Sequence, residues 1–431
     1  MIRVYNNKES FLTQHRRRSL ADHPGALASV REILEAVRER GDAAVLAYTE
    51  RYDGAMLTAL AVTDAELAAA EDLVEREVAD ALQEAADNIR SFHARQVRNS
   101  WLEYGEDGSV RGLRIIPLDA VGAYVPGGSA AYPSSVLMTV IPARVAGVKK
   151  VVLATPPQPD GSVNPYTLLA AKIAGADAVY KCGGAQAVAA LAYGTESIPA
   201  VDKIVGPGNL YVTLAKREVA GLVGIDMTAG PSEVLVVADE TARADFVACD
   251  LLSQAEHDPL AAACCITTSA ALTAALPDEL ERQCAGLARR EIAAQSLAAN
   301  GAVVKVESLD EAVEVANLLA PEHLELQVTD PWALLAGIRH AGAVFLGAYT
   351  PEPVGDYWAG PNHVLPTAGA GRYASVLAVD DFVKRSSVLY YPPAVLLRHA
   401  VKIEALAAAE GLTAHSRAVA VRREELERQN R

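Results

Sequence analysis

The sequence predicts an α/β protein: two Rossmann-like (incomplete) parallel-sheet domains with small helical N- and C-terminal extensions. Three observations carry that expectation. Between Val121 and Asp239, short β-rich runs alternate with glycine-rich turns and helical stretches. From about 240 to 380 the alternation returns, and the chain closes on a charged helical tail, SRAVAVRREELERQNR. Strand–turn–helix units in series imply parallel strands joined by right-handed crossovers, with helices on the sheet faces.

Taken in order, residues 26–54 carry apolar side chains at helical spacing, with a break near Gly41. A second helical stretch, alanine-rich and charged, covers about 64–97. KKVVLATPP (149–157) reads as a strand and loop, and ADAVYKCGGAQAVAALAYG (176–194) as strand, glycine turn and helix. DKIVGPGNLYVTLAKREVAG (202–221) repeats that order, and EVLVVAD (233–239) is another strand. Beyond it, ACCITTS, AVVKVES, LELQV and AGAVFLG are four further candidate strands.

At 431 residues the chain has room for roughly two to four domains. Its formal net charge of -15 argues against nucleic acid as a partner, because phosphate neutralisation needs a basic surface. The N-terminal arginines are followed by no apolar stretch, so no secretory signal of the usual form is expected. No window approaches the ~20 continuous apolar residues of a membrane span. A soluble, cytoplasmic protein is expected. The five cysteines, Cys182, Cys249, Cys264, Cys265 and Cys284, include no CxxC and read as small core residues.

Three glycine loops follow strands: YVPGGSAAYPSS (124–135), CGGAQAV (182–188) and GPGNLYV (206–212). In a parallel sheet such ends gather along one edge, where ligands bind. Glycine admits close approach to a ligand, and the helix start that follows offers free N–H donors. Gln186 and Asn209 sit just past two of these turns. GAGRYA (369–374) matches a dinucleotide fingerprint formally, but no strand precedes it, and it is rejected as one.

Of nine histidines, His15, His23, His93, His340 and His399 read as ordinary surface or core. In LLAPEHLELQV (318–328), Glu322 beside His323 is either an acid/base pair or a helix start with a favourable glutamate. PEPVGDYWAGPNHVLPT (351–367) reads as a long loop in which Asp356 or His363 could bind a metal. SQAEHDP (253–259) places Gln254 and His257 three apart, on one side of a helix, as half of a metal site or a polar helix end. AEGLTAHSRAVAV (409–421) carries Glu410 and His415 in the tail.

VGAYVPGGSA with YPSSVLM, GGAQAVAALAYGT, IVGPGN, IDMTAGPSEVLV, SQAEHDP, LAPEHLEL, GDYWAGPNHVLPT and GLTAHSRAV, in that order from about 25 to 421, resemble the histidinol dehydrogenases. That resemblance implies oxidation of L-histidinol through L-histidinal to L-histidine by two NAD+, the last step of histidine biosynthesis. It implies one Zn2+ per subunit on Gln254, His257, Asp356 and His415, with Glu322 and His323 as the catalytic acid/base pair. NAD+ contacts fall on Tyr124, Gln186 and Asn209. Substrate contacts fall on Ser232, Gln254, His257, His323, Asp356, Glu410 and His415. A homodimer with composite sites is implied, the C-terminal residues reaching the neighbouring subunit. The division expected is an N-terminal extension (1–24), a discontinuous α/β domain (25–130 and 235–380), an inserted Rossmann-like domain (131–234) and a helical tail (381–431).

Overall fold

The structure is a computed structural model and describes residues 2–14, 24–127, 131–227 and 230–431. His15, His23 and part of the first glycine loop lie outside the described residues. Two compact units are present: Met1–Gln96 with Leu118–Phe382, and Val97–Pro117 with Val383–Arg431.

In the larger unit the chain opens with β1 (Arg3–Tyr5) and α1 (Lys8–Gln14). The first expected helix follows as α2 (Pro24–Arg40) and α3 (Asp42–Asp53), broken at Gly41, whose φ is 54°. The second is also two helices, α4 (Asp64–Leu73) and α5 (Arg76–Ala94). Thr63 starts α4 with a reciprocal capping box to Glu66. The smaller unit takes β2 (Trp101–Tyr104) and β3 (Val110–Pro117).

Next come β4 (Ala120–Tyr124), α6 (Pro133–Ala146), β5 (Lys150–Thr155), α7 (Pro165–Ala174), β6 (Ala178–Lys181), α8 (Gly184–Tyr193), β7 (Lys203–Val205), α9 (Leu210–Val219) and β8 (Gly224–Ile225). Their five strands form a parallel sheet in the order β6-β5-β4-β7-β8. β5 is buried from Val151 to Thr155, the unbroken apolar run expected of a strand covered on both faces.

β9 (Glu233–Ala238), α10 (Ala244–Ala255), β10 (Ala262–Thr267), α11 (Ala270–Cys284), α12 (Arg290–Asn300), β11 (Ala302–Lys305), α13 (Leu309–Leu319), β12 (His323–Gln327), α14 (Pro331–Leu335), β13 (Ala343–Leu346) and α15 (Glu352–Tyr357) complete the larger unit. They form a six-stranded parallel sheet, β1-β11-β10-β9-β12-β13. All the strands expected from the sequence are present.

The expected boundaries need correction where strands choose partners. β1, inside the stretch assigned to an N-terminal extension, pairs with β11 at the edge of the six-stranded sheet. β4, assigned to the first domain, is the central strand of the five-stranded sheet, so a boundary at 131 severs it from its neighbours. Hydrophobic pattern locates a strand and leaves its partner open.

In the smaller unit, β14 (Val383–Tyr390) pairs antiparallel with β3, which pairs with β2. The helices α16 (Pro393–Ala409) and α17 (Thr413–Gln429) complete it, tied together by Arg423 on Glu404 at 2.8 Å. The tail is thus helical as expected, but its unit also takes in residues 97–117. Four cysteines are buried as expected; Cys249 is exposed.

Candidate active site

α13 is closed by Ala320, its C-cap, which takes a left-handed conformation (φ 51°) directly before Pro321. A non-glycine residue there is uncommon and marks a backbone held by its surroundings. The turn delivers Glu322 and then His323, the first residue of β12. The pair therefore stands at a strand start, and the helix-start alternative falls away.

Both side chains are buried, and both are fastened to Glu233 at the start of β9. The Glu233 N–H donates to Glu322 Oε2 at 2.9 Å, and the Glu233 carbonyl accepts from His323 Nδ1 at 3.0 Å. Because a carbonyl can only accept, Nδ1 carries the proton and Nε2 presents its lone pair. Nε2 is buried with no hydrogen-bond partner; Glu352 Oε1 lies 3.8 Å away and Asp356 Oδ1 3.9 Å. Burial holds the imidazole below its ordinary pKa, against the opposing pull of Asp356. A neutral imidazole with a free nitrogen is a base. Burial pushes Glu322 well above the usual carboxylate range, despite its bond from Glu233.

The surroundings have a regular plan. On β12, His323, Glu325 and Gln327 alternate onto one face, while Leu324 and Leu326 enter the apolar core on the other. Asp250 and Gln254 are one turn apart on α10, and Glu352 and Asp356 one turn apart on α15. Asp356 was expected in a loop; it lies in this short helix.

Gln254 is the penultimate residue of α10, and His257 lies just past the helix end, its N–H donating to the Gln254 carbonyl at 3.2 Å. The helical spacing expected for the pair thus holds only up to Ala255. Gln254 Oε1 is buried and has no partner, nor has Glu352 Oε2. Unsatisfied buried acceptors are costly unless a ligand completes them. His257 is exposed by area, yet desolvation lowers its pKa, with Asp356 opposing. His323, Glu352 and Asp356 turn ligand atoms to within 4.8 Å of one another. Oxygen and imidazole donors without thiolate suit a divalent ion, zinc among them. His363 drops out as a ligand. Its Nε2 meets Ser135 Oγ at 3.1 Å and its Nδ1 meets the Asp356 carbonyl at 3.1 Å.

The five-stranded sheet builds a second concavity. Its strand order reverses between β4 and β7, the switch point where a parallel sheet opens a crevice. Tyr124 ends β4, and its hydroxyl accepts from the Gly184 N–H at 3.2 Å. Gln186 is buried in the first turn of α8. Asn209 caps α9, accepting from Tyr211 N–H at 3.0 Å and Val212 N–H at 3.1 Å. Gly127 and Gly183 both press on Pro156, where any Cβ would collide, and Gly206 presses on the Tyr124 carbonyl, so the described parts of the three loops converge. GAGRYA forms a 3-10 turn (Ala370–Arg372) with no strand before it.

Ser232 immediately precedes β9, next to the residue that holds both Glu322 and His323. Glu410 and His415 belong to the smaller unit, at the turn from α16 into α17. Both are exposed, and their side chains make no hydrogen bond or ion pair among the described residues. His93 is a satisfied core histidine, bonded to the Ile89 carbonyl at 2.9 Å.

The family described as Histidinol dehydrogenase matches residues 16–423. The chain belongs to the histidinol dehydrogenase family. It is 56% identical over 396 residues to the histidinol dehydrogenase of Geobacillus kaustophilus (strain HTA426), covering 92% of this chain and 93% of that one. With the Heliobacterium mobile histidinol dehydrogenase it shares 53% identity over 424 residues, 98% of this chain and 99% of that one. The crystal structure of histidinol dehydrogenase from Elizabethkingia anophelis superposes with a TM-score of 0.92 at 39% identity, covering 99% of each chain. As a histidinol dehydrogenase family member, the chain is an NAD-dependent oxidoreductase. Among the described residues, no helix is long and apolar enough to cross a membrane.

Three residues of the site received no role from the sequence. Glu352 sits one turn before Asp356 in a stretch read as loop. Asp250 belongs to none of the motifs, and Glu325 lies inside LAPEHLEL without an assigned role. Only the period-two alternation in HLELQ, polar at every second position of a strand, could have suggested a buried polar face.

Proposed function

We propose that this chain oxidises L-histidinol through L-histidinal to L-histidine with two NAD+ and one zinc ion per subunit, as a cytoplasmic homodimer. The observation that carries the chemistry is His323: a buried neutral imidazole, fixed by Glu233, with an unpartnered Nε2. Gln254, His257 and Asp356 would hold zinc together with His415 contributed by the neighbouring subunit. Zinc, when bound, supplies a Lewis acid and an anchor for the amine and imidazole of the substrate.

The chain's own groups then do the proton work. His323 Nε2 accepts the hydroxyl proton as hydride leaves for the first NAD+. Glu322, whose raised pKa makes its carboxylate form a stronger base, activates the water that adds to the aldehyde. His323, having returned its first proton to the carbonyl oxygen as water adds, again accepts a proton in the second hydride transfer. Tyr124, Gln186 and Asn209 orient the nicotinamide cofactor, which carries the redox chemistry. Ser232 and Glu410 hold the substrate. The last assignments rest on the family's pattern and on the convergence of the glycine loops. Exposed Trp101, Leu102, Tyr104, Leu389, Tyr390 and Leu406 on the smaller unit support a partner surface for the homodimer.

The test is a count of NADH released per L-histidinol, with chelated enzyme as a control. About two NADH, lost on chelation, is the expected result; none would end the proposal. His323→Asn should slow both oxidations on the order of 10²–10⁴-fold and leave zinc bound. Normal turnover by that variant would remove His323 from the mechanism.

A further inference from the structure

Beneath His323 lies a second polar layer to which the reaction assigns nothing. Asp250, Glu325, Gln327 and Glu352 are all buried. Gln327 Nε2 donates to Asp250 Oδ2 at 2.6 Å and to Glu325 Oε2 at 3.0 Å. The other Glu325 oxygen, Oε1, accepts the backbone N–H of Glu352 at 3.0 Å. No lysine or arginine hydrogen-bonds or ion-pairs with these carboxyls among the described residues. Three buried acids without a cation would be untenable if each were ionised. The Gln327 amide draws the Asp250 and Glu325 carboxyls together, and two neighbouring buried carboxyls without a cation favour one of them keeping its proton. Burial pushes Glu325 up to about 8, in keeping with that arrangement.

The connections matter because of what each element carries above this layer. α10 brings Asp250 below and Gln254 above. β12 brings Glu325 and Gln327 below and His323 above. α15 brings Glu352 at its first residue and Asp356 one turn on. The N-cap of α15 is Pro351, which offers no side-chain acceptor, so Glu325 from β12 supplies the cap. One carboxyl thus fastens the short helix bearing Asp356 to the strand bearing His323. Through Gln327, the same carboxyl is joined to the helix bearing Gln254.

We propose that Glu325 and Asp250 are positioning residues of the reaction, locking α10 and α15 against β12 so that Gln254 and Asp356 converge beside His323 Nε2. Neither touches the substrate. They act by fixing the depth and register of two elements whose side chains must meet within a few tenths of an ångström. This rests on the reading of Gln254 and Asp356 as metal ligands.

The test uses the zinc-loaded full-length enzyme and three variants at one position. Glu325→Leu removes the cap and the link; it should release zinc to a chelator ~10-fold faster or more and lower kcat on L-histidinol by a similar factor. KM for NAD+ should not change, since the cofactor loops lie on the other sheet. Glu325→Gln should restore most of both readouts: its amide oxygen can still accept from the Glu352 N–H and cap α15, while only the bond that Oε2 accepts from Gln327 Nε2 is lost. If Glu325→Leu does not fold, Glu325→Asp, one methylene too short to cap α15, takes its place with the same expectation. Unchanged zinc release and kcat with only a lower melting temperature would reduce Glu325 to a structural residue and overturn the proposal. So would a Glu325→Gln variant as impaired as Glu325→Leu. A wild-type enzyme that binds zinc without oxidising L-histidinol would instead overturn the functional reading, and the zinc-release comparison would still decide the positioning.

Discussion

Two residues show how the same burial yields opposite uses. His323 has one nitrogen tied to a backbone carbonyl, and burial makes the other a neutral, unpartnered base. Asp53, at the end of α3, also has a buried oxygen without a partner, and burial raises its carboxyl from 3.8 to about 6. Between those two pH values the folded chain binds more protons than the unfolded one. Stability therefore falls as pH rises through the window and stays lower above it. Asp53→Asn removes the charged form, so it should stabilise the fold above pH ~6 by on the order of 1–3 kcal/mol and flatten the slope below. Urea unfolding at two pH values measures it. Parallel pH slopes for variant and parent would show that Asp53 ionises freely in the native protein.

At the scale of elements, the GPGN turn between β7 and α9 is clamped from several sides. Lys216 Nζ donates to the Gly206 carbonyl at 3.0 Å, and Asp226 Oδ2 accepts the Gly206 N–H at 2.7 Å. Lys216 and Asp226 are themselves a fully buried ion pair. Gly206 has a φ of 111°, and a Cβ there would collide with the Tyr124 carbonyl. The turn that offers Asn209 is therefore seated directly on the strand end that offers Tyr124. Gly206→Ala should introduce strain of about 1–3 kcal/mol and raise KM for NAD+ roughly tenfold, while zinc content is unchanged. Equal rises in KM for NAD+ and L-histidinol would show a general collapse in place of a local one.

The whole molecule raises the question of where Glu410 and His415 act. Both sit exposed on a helical hairpin in a unit that also displays aromatic side chains. If each site takes its last two residues from the neighbouring subunit, inactive His323→Asn and His415→Asn homodimers should complement when their subunits are exchanged. Each mixed dimer would hold one site with both histidines intact, and random exchange would restore about a quarter of wild-type activity. No recovery after verified exchange would place His415 in the site of its own chain.

Much of this could be read from the chain alone. Strand and helix positions were legible because periods of two and 3.6 are local properties, as was the break at Gly41. The glycine loops were legible because a turn after a parallel strand needs backbone that can bend sharply. The ordered blocks, SQAEHDP and LAPEHLEL among them, pointed to the family that the comparisons show. Partnership between distant elements was not legible. Nothing local tells β4 to sit between β5 and β7, or β1 to join β11, because pairing is chosen by the whole sheet. Nor does a glutamate at 325 announce that it caps a helix starting at 352, or an aspartate at 250 that it shares the same buried layer. The sequence determined which side chains were available for chemistry. The tertiary structure decided which of them meet, which nitrogen of His323 is free, and which carboxyls hold the others in place, since those outcomes depend on burial and contacts that only the assembled sheets create.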